Sequence, residues 1–218
     1  MLVDSFKHKG LRRRLVEELA AMGIHDAAVL AAINAVPRHH FLSSAFLEYA
    51  YENKAFQIGA GQTISHPYTV AFQSQLLGLE KGMKVLEIGT GSGFQTSVLC
   101  EMGAKVFSIE RHKQLHDGAK QLLRQMGYKA TLSYGDGYKG MPGYAPFDRV
   151  LITCAVPVIP EELLMQLKPG GKLIMPYGDG EVQQMMVVEE KEDGSFESSF
   201  HGHFSFVPML EKRTSIAK

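Results

Sequence analysis

The stretch VLEIGTGSGFQT, Val85 to Thr96, sets three glycines at every second position behind a short apolar run. A strand that ends in such a turn, with a helix following, is where α/β sheets hold ligands, outside the carboxyl ends of the strands. Gly89, Gly91 and Gly93, with Thr90 between them, permit the turn and let a ligand approach backbone that carries no Cβ. The spacing is G-x-G-x-G and not the G-x-G-x-x-G of dinucleotide sites, which argues against a pyrophosphate cradle. Glu87, two residues ahead of the first glycine, would repel a pyrophosphate but suits a ligand's ammonium group. Taken alone, it is also explained as an incidental acid beside a tight turn.

Glu110 closes the next apolar run about twenty residues on, where an acidic side chain accepts both hydroxyls of a ribose. Asp136, in GDG after the third run, stands at the following strand end, within reach of an adenine amino group; taken alone, the triplet is an Asp-Gly turn. Together these groups describe a pocket for a nucleoside that carries an amino-acid-like zwitterion and no phosphates. S-adenosylmethionine has that shape.

The elements that must position these groups are legible from Lys84 onward. KVLEIG, KVFSIE, ATLSY, FDRVLITCAV and GKLIMPYG read as short buried strands, with helical stretches at 94–102, 112–126 and 160–167. Strands alternating with helices imply βαβ units and a parallel sheet covered on both faces. VQQMMVVEE and FESSFHGHFSFVP, joined by the turn KEDGS, add an antiparallel pair at one edge. The expected fold is α/β: a Rossmann-like, doubly wound, mostly parallel seven-stranded sheet with an N-terminal helical extension. One domain over 1–218 is expected, with a helical and lid segment at 1–80 and the cofactor-binding core at 81–218.

In the extension, Leu11, Leu15, Leu19 and Met22 recur at helical spacing, and Arg12, Arg13 and Arg14 read as a solvated face rather than an RNA contact. Asp26 is expected to cap a second helix that Pro37 stops. His39 and His40 are adjacent, and no carboxylate or Cys spacing completes a metal set around them. FQIGAGQTISHPY, Phe56 to Tyr68, reads as a long polar loop just ahead of the glycine turn.

Composition narrows the partners. Lys and Arg together number 23, as do Asp and Glu, so no net field draws nucleic acid or an anionic membrane. Cys100 and Cys154 lie in apolar runs and suit free thiols in a reducing cytoplasm. The N-terminal decapeptide lacks a signal-type apolar core, and no apolar span reaches membrane length. A cytoplasmic monomer is expected.

At this point the chain resembles the class I methyltransferases and, within them, the protein-L-isoaspartate O-methyltransferase family. The likeness runs from VPRHHF through YAYENKAFQIGAGQTISHPYTVA, KVLEIGTGSGFQT, IER, GDG and PVIPEELLMQLKPGGKLIMPYG to FVPM. It implies S-adenosylmethionine contacts at Glu87, Gly89, Thr90, Gly91, Gly93, Glu110, Arg111, Asp136 and Gly137. It also implies that Gln62, Thr63, Ile64 and Ser65 form a lid over the cofactor, with Ser65 beside the transfer site. The implied reaction methylates the free α-carboxylate of L-isoaspartyl residues in damaged peptides and proteins, the first step of a repair. Ala55-Phe56-Gln57 and Cys154-Ala155-Val156-Pro157 depart from the family's common pattern, at the rim implied for the substrate.

Two other readings stay open. A methyltransferase of this fold acting on a small metabolite or RNA is disfavoured by IGAGQTIS, by the balanced charge and by ITCAVPVIP, which lacks the Asp/Asn-Pro-Pro-aromatic arrangement of base methylation. A non-catalytic nucleotide-binding module, with NAD as ligand, is the other. For Ser65, capping of the segment that follows is the alternative to a catalytic role.

Overall fold

A computed structural model describes residues 3–191 and 193–210, so Glu192 of the KEDGS turn lies outside the described residues. The N-terminal extension holds two helices, α1 (Phe6–Ala21) and α2 (Ala27–Ala35), and Asp26 caps the second by accepting from Ala28 N and Val29 N at 2.8 and 3.2 Å. Arg13 and Arg14 are exposed as expected, whereas Arg12 is buried. The reason is spacing: Arg12, Leu15 and Leu19 fall at i, i+3 and i+7, so the arginine shares the inward stripe. Asp4 pairs with it at 3.0 and 3.1 Å, and Tyr51 Oη accepts from it at 3.1 Å. Asp4 also supplies the carboxylate that the sequence spacing around His39 did not reveal, since Asp4, His8 and His39 bring ligand-type atoms within 4.8 Å of one another. Their hydrogen bonds are internal: His39 Nδ1 meets Tyr51 Oη at 2.6 Å, and its Nε2 meets the Val3 carbonyl at 3.0 Å.

The segment expected as a loop is a hairpin. β1 (Phe56–Gly59) and β2 (Gln62–Ile64) pair antiparallel, with Phe56 opposite Ile64 and Gln57 opposite Thr63. The chain reverses through Gly59, Ala60 and Gly61 at φ of 98, 51 and 68°, which the two glycines supply without strain. A helix that the sequence reading passed over follows directly: α3 (Pro67–Leu77) starts on a proline and stops at Gly78, in the left-handed region at φ 54°.

The remaining elements are β3 (Lys84–Ile88), α4 (Phe94–Glu101), β4 (Lys105–Glu110), α5 (Lys113–Gln125), β5 (Ala130–Tyr134), β6 (Phe147–Ile152), α6 (Glu161–Leu164), β7 (Leu167–Tyr177), β8 (Gln183–Glu190) and β9 (Phe196–Phe204). They build one sheet in the order β5-β4-β3-β6-β7-β8-β9, parallel from β5 to β7 and antiparallel at β8 and β9. The helix expected over 160–167 is only Glu161–Leu164, because β7 already begins at Leu167.

Strand periodicity decides which way each site residue faces. On β3, Leu86 and Ile88 join a core with Phe147, Val150 and Leu163, while Val85 faces the opposite core with Leu77 of α3 and Leu99 of α4. Glu87 therefore shares the α4 side with Val85. A further apolar cluster joins α1 and α2 to Val70 of α3, Phe94 and Val98 of α4 and Leu123 of α5, so the extension packs onto the helices flanking the glycine turn.

Candidate active site

The glycine turn is stapled from two sides. Gly89 N and Thr90 N both donate to the Ile109 carbonyl at the end of β4, at 2.8 and 3.2 Å. Thr153, just past β6, sends its hydroxyl to the carbonyls of Ile88 and Gly89 at 2.9 and 2.8 Å. Gly89 has φ 97°, and a Cβ there would stand 2.5 Å from Thr153 Oγ1. Gly93 has φ 90° and a Cβ would press on Leu123 of α5 at 3.3 Å, so this glycine serves helix packing and does not line the cavity.

Glu110 is almost fully buried and held at both oxygens, Oε2 accepting from Gly91 N and Oε1 from His112 N, each at 2.8 Å. Its carboxylate lines the cavity, with acceptor capacity left on each oxygen for a pair of vicinal hydroxyls. At the next strand end Gly137 lines the cavity, whereas Asp136 does not and instead accepts from Tyr138 N at 3.1 Å. The turn-forming role of Asp136 is thus present in the structure.

Glu87 departs furthest from its expected place at the ligand. It is fully buried beneath the turn, where its Oε2 accepts from the hydroxyls of Thr96 and Ser108 at 2.5 and 2.6 Å, and it does not line the cavity. Thr90 Oγ1 in turn meets Ser108 Oγ at 2.6 Å, which joins this buried network to the glycine turn. Burial, opposed by the two hydroxyls, pushes the Glu87 carboxyl up to about 7. The folded protein therefore keeps a proton that the unfolded chain releases above roughly pH 4.3. Stability falls as pH rises from there to about 7, because the unfolded state binds fewer protons over that window. Glu87→Gln lacks this titration, so its stability relative to wild type is expected to improve between about pH 4.5 and 7.5. Denaturant unfolding at both ends of the window checks this, and parallel profiles for the two proteins would refute it.

The cavity gathers apolar and polar side chains and bare backbone at the carboxyl ends of β3 and β4, where α/β sheets hold ligands. Gln62, Thr63, Ile64 and Ser65 line it, as do Gly89, Thr90, Gly91, Glu110 and Arg111. Sequence reasoning missed Gln73, Gln95, Thr153 and the segment Val207–Leu210, which also line it. Gln95 carries a faint signal, a polar residue in the first turn after the glycines, while Gln73 lies on the helix that was not anticipated. Cys154 lines the cavity too, and burial pushes its thiol up to about 12, leaving it protonated and unreactive at neutral pH.

A second hollow adjoins the first and shares Thr63, Ser65, Thr153 and Val207 with it. His66, Thr69 and Ser205 add polar groups to its wall. Ser65 stands at the junction, and its hydroxyl makes no hydrogen bond to any described residue. Capping is not its role in this structure: His66 is the cap of α3, without a side-chain bond, and Asn53 Oδ1 takes the Tyr68 N–H at 2.9 Å.

A mostly parallel seven-stranded sheet, with a glycine turn after β3 and a buried ribose-ready acid ending β4, defines a Rossmann-like methyltransferase fold. Residues 10–214 match the model of the protein-L-isoaspartate(D-aspartate) O-methyltransferase family, and the chain belongs to that family. It is 51% identical over 211 residues to a protein-L-isoaspartate O-methyltransferase of Christiangramia forsetii, covering 96% of this chain and 99% of the relative. A solved protein-L-isoaspartate O-methyltransferase superposes with a TM-score of 0.81 at 29% identity, over 90% of this chain and 65% of its own. A Plasmodium falciparum structure, in complex with S-adenosyl-L-homocysteine, shares the fold at a TM-score of 0.80 and 22% identity, over 91% of this chain and 98% of its own.

Proposed function

We infer that this protein transfers the methyl group of S-adenosylmethionine to the free α-carboxylate of L-isoaspartyl residues in damaged peptides and proteins, initiating their repair. The observation that carries this reading, beside family membership, is that the cavity at the glycine turn and an adjoining polar hollow meet at Ser65. The residues fit the cofactor: Gly89, Thr90 and Gly91 bring the glycine turn to the cavity, and Glu110 presents a fixed carboxylate to ribose hydroxyls. When bound, S-adenosylmethionine supplies a methyl group already activated by its sulfonium.

The protein then has little proton chemistry to perform. An α-carboxylate titrates near roughly 3.5 and is ionised at neutral pH, so no general base is required. Alignment and exclusion of water are what the chain must supply. Ser65, with a free hydroxyl at the junction, donates a hydrogen bond that orients the acceptor carboxylate, and the hairpin above it keeps solvent out. The resulting ester loses its alkoxide more readily than a carboxylate loses oxide, so the neighbouring backbone nitrogen closes a succinimide whose hydrolysis restores an aspartyl linkage.

Equal basic and acidic counts favour peptides over nucleic acid as substrate, and no described helix is long and apolar enough to cross a membrane. We read the chain as one methyltransferase domain that works as a monomer in the cytoplasm. The decisive assay pairs an isoaspartyl peptide with its aspartyl counterpart and methyl-labelled donor. Label is expected on the first alone; transfer to both, or to neither, rejects the reading. In the same assay Ser65→Ala is expected to lower kcat by about tenfold to a thousandfold, as for loss of one positioned donor. The shape of the pH profile from about 5.5 to 9 should stay intact, since the carboxylate is ionised throughout. A steeply pH-dependent loss would instead make Ser65 a base.

A further inference from the structure

Arg38 is 1% exposed, and no carboxylate among the described residues pairs with it. Its guanidinium donates to three backbone carbonyls, two of the turn before β1, Ala50 at 2.6 Å and Lys54 at 2.9 Å, and that of Ser65 at 3.2 Å. The rings of Phe56 and Phe94 lie 5.5 and 5.6 Å from it, the first in the lid hairpin and the second opening α4 just after the glycine turn. Burial brings its pKa down to about 9, so it remains charged at neutral pH.

A buried cation without a counter-ion is costly, and an apolar side chain would fill the space between two phenyl rings without that cost. What an apolar side chain cannot do is bind three carbonyls in one plane. Ser65 has particular need of such a tie, because it sits between β2 and α3 and its side chain makes no hydrogen bond to a described residue. The hairpin beside it pairs with no strand of the main sheet. We propose that Arg38 is a positioning residue for methyl transfer: it holds the Ser65 carbonyl and sets the serine hydroxyl against the cofactor cavity. Lysine is a poor substitute there, since its compact ammonium neither forks nor stacks. This inference rests on the role given to Ser65 above.

The test is a double-mutant cycle on the full chain with Arg38→Lys and Ser65→Ala, reading kcat on an isoaspartyl peptide and the Kd of S-adenosylhomocysteine. Arg38→Lys is expected to lower kcat about tenfold or more while changing the Kd less than about threefold. In the Ser65→Ala background the same change should cost less than about threefold in kcat, because the group it positions is already gone. For Arg38→Ala, millimolar guanidinium chloride should restore part of the rate by refilling the fork; should that variant not fold, the Arg38→Lys cycle decides alone. Equal kcat losses in both backgrounds would overturn the inference and leave Arg38 a general brace. Full activity of Ser65→Ala by itself would overturn the serine's role and, with it, this one.

Discussion

Gly89→Ala is expected to weaken S-adenosylmethionine binding by about a hundredfold or more, on the order of 3 kcal/mol or above. Two effects act together. At φ 97° an L side chain is strained, and its Cβ would stand 2.5 Å from Thr153 Oγ1. Relieving that clash moves the hydroxyl off the carbonyls of Ile88 and Gly89, which it holds at 2.9 and 2.8 Å, and so releases the turn from β6. Gly91→Ala is the comparison: at φ 54° an alanine carries backbone strain of about 1–2 kcal/mol as well, but its Cβ would meet only Ile58 Cδ1 at 3.5 Å, without a clash. Calorimetry with S-adenosylhomocysteine on both folded variants separates them. Wild-type affinity in Gly89→Ala would show that crowding at this glycine does not shape the site.

Glu110→Ala should weaken the cofactor by roughly 2 to 4 kcal/mol, more than a ribose contact alone accounts for. The carboxylate also anchors Gly91 N and His112 N at 2.8 Å each, so the substitution frees the glycine turn as well as the hydroxyl acceptors. Glu110→Gln is expected to rescue little, since an amide presents an acceptor to one of these N–H groups and a donor to the other. The loss should appear in cofactor affinity, with peptide KM changed far less. Equal losses in both, together with a lowered Tm, would point to a folding defect instead.

The centre of the sheet was legible because β3 and the end of β6 are buried on both faces and read as apolar runs, and β4 and β5 match the quoted stretches KVFSIE and ATLSY at both ends. Glu110 and the glycine turn were legible for a related reason, since their spacing follows from one βαβ unit. What failed was orientation, which depends on tertiary partners. Glu87 lies next to the turn in sequence, yet strand alternation points it at Thr96 and Ser108 and away from the cavity. Arg12 read as solvated because its partner Asp4 precedes the helix, outside any i, i+4 pattern. Thr153 and Val207 could not be placed from sequence at all, because they reach the junction only through the crossing of distant strand ends.

The lid hairpin stands apart from the seven-stranded sheet, and this bears on how a turnover ends. Isolated two-stranded ribbons are marginal, so β1 and β2 owe their order to tertiary packing: Ile64 is buried in the cluster that joins α1, α2 and α4, Phe56 and Ile58 pack against it, and Arg38 donates to the Ser65 carbonyl. Those contacts can let go while every bond of the main ladder stays closed. Release of spent cofactor is expected to open this hairpin without breaking the main sheet, and faster hydrogen exchange at β1 and β2 than at β3 or β6 would show it.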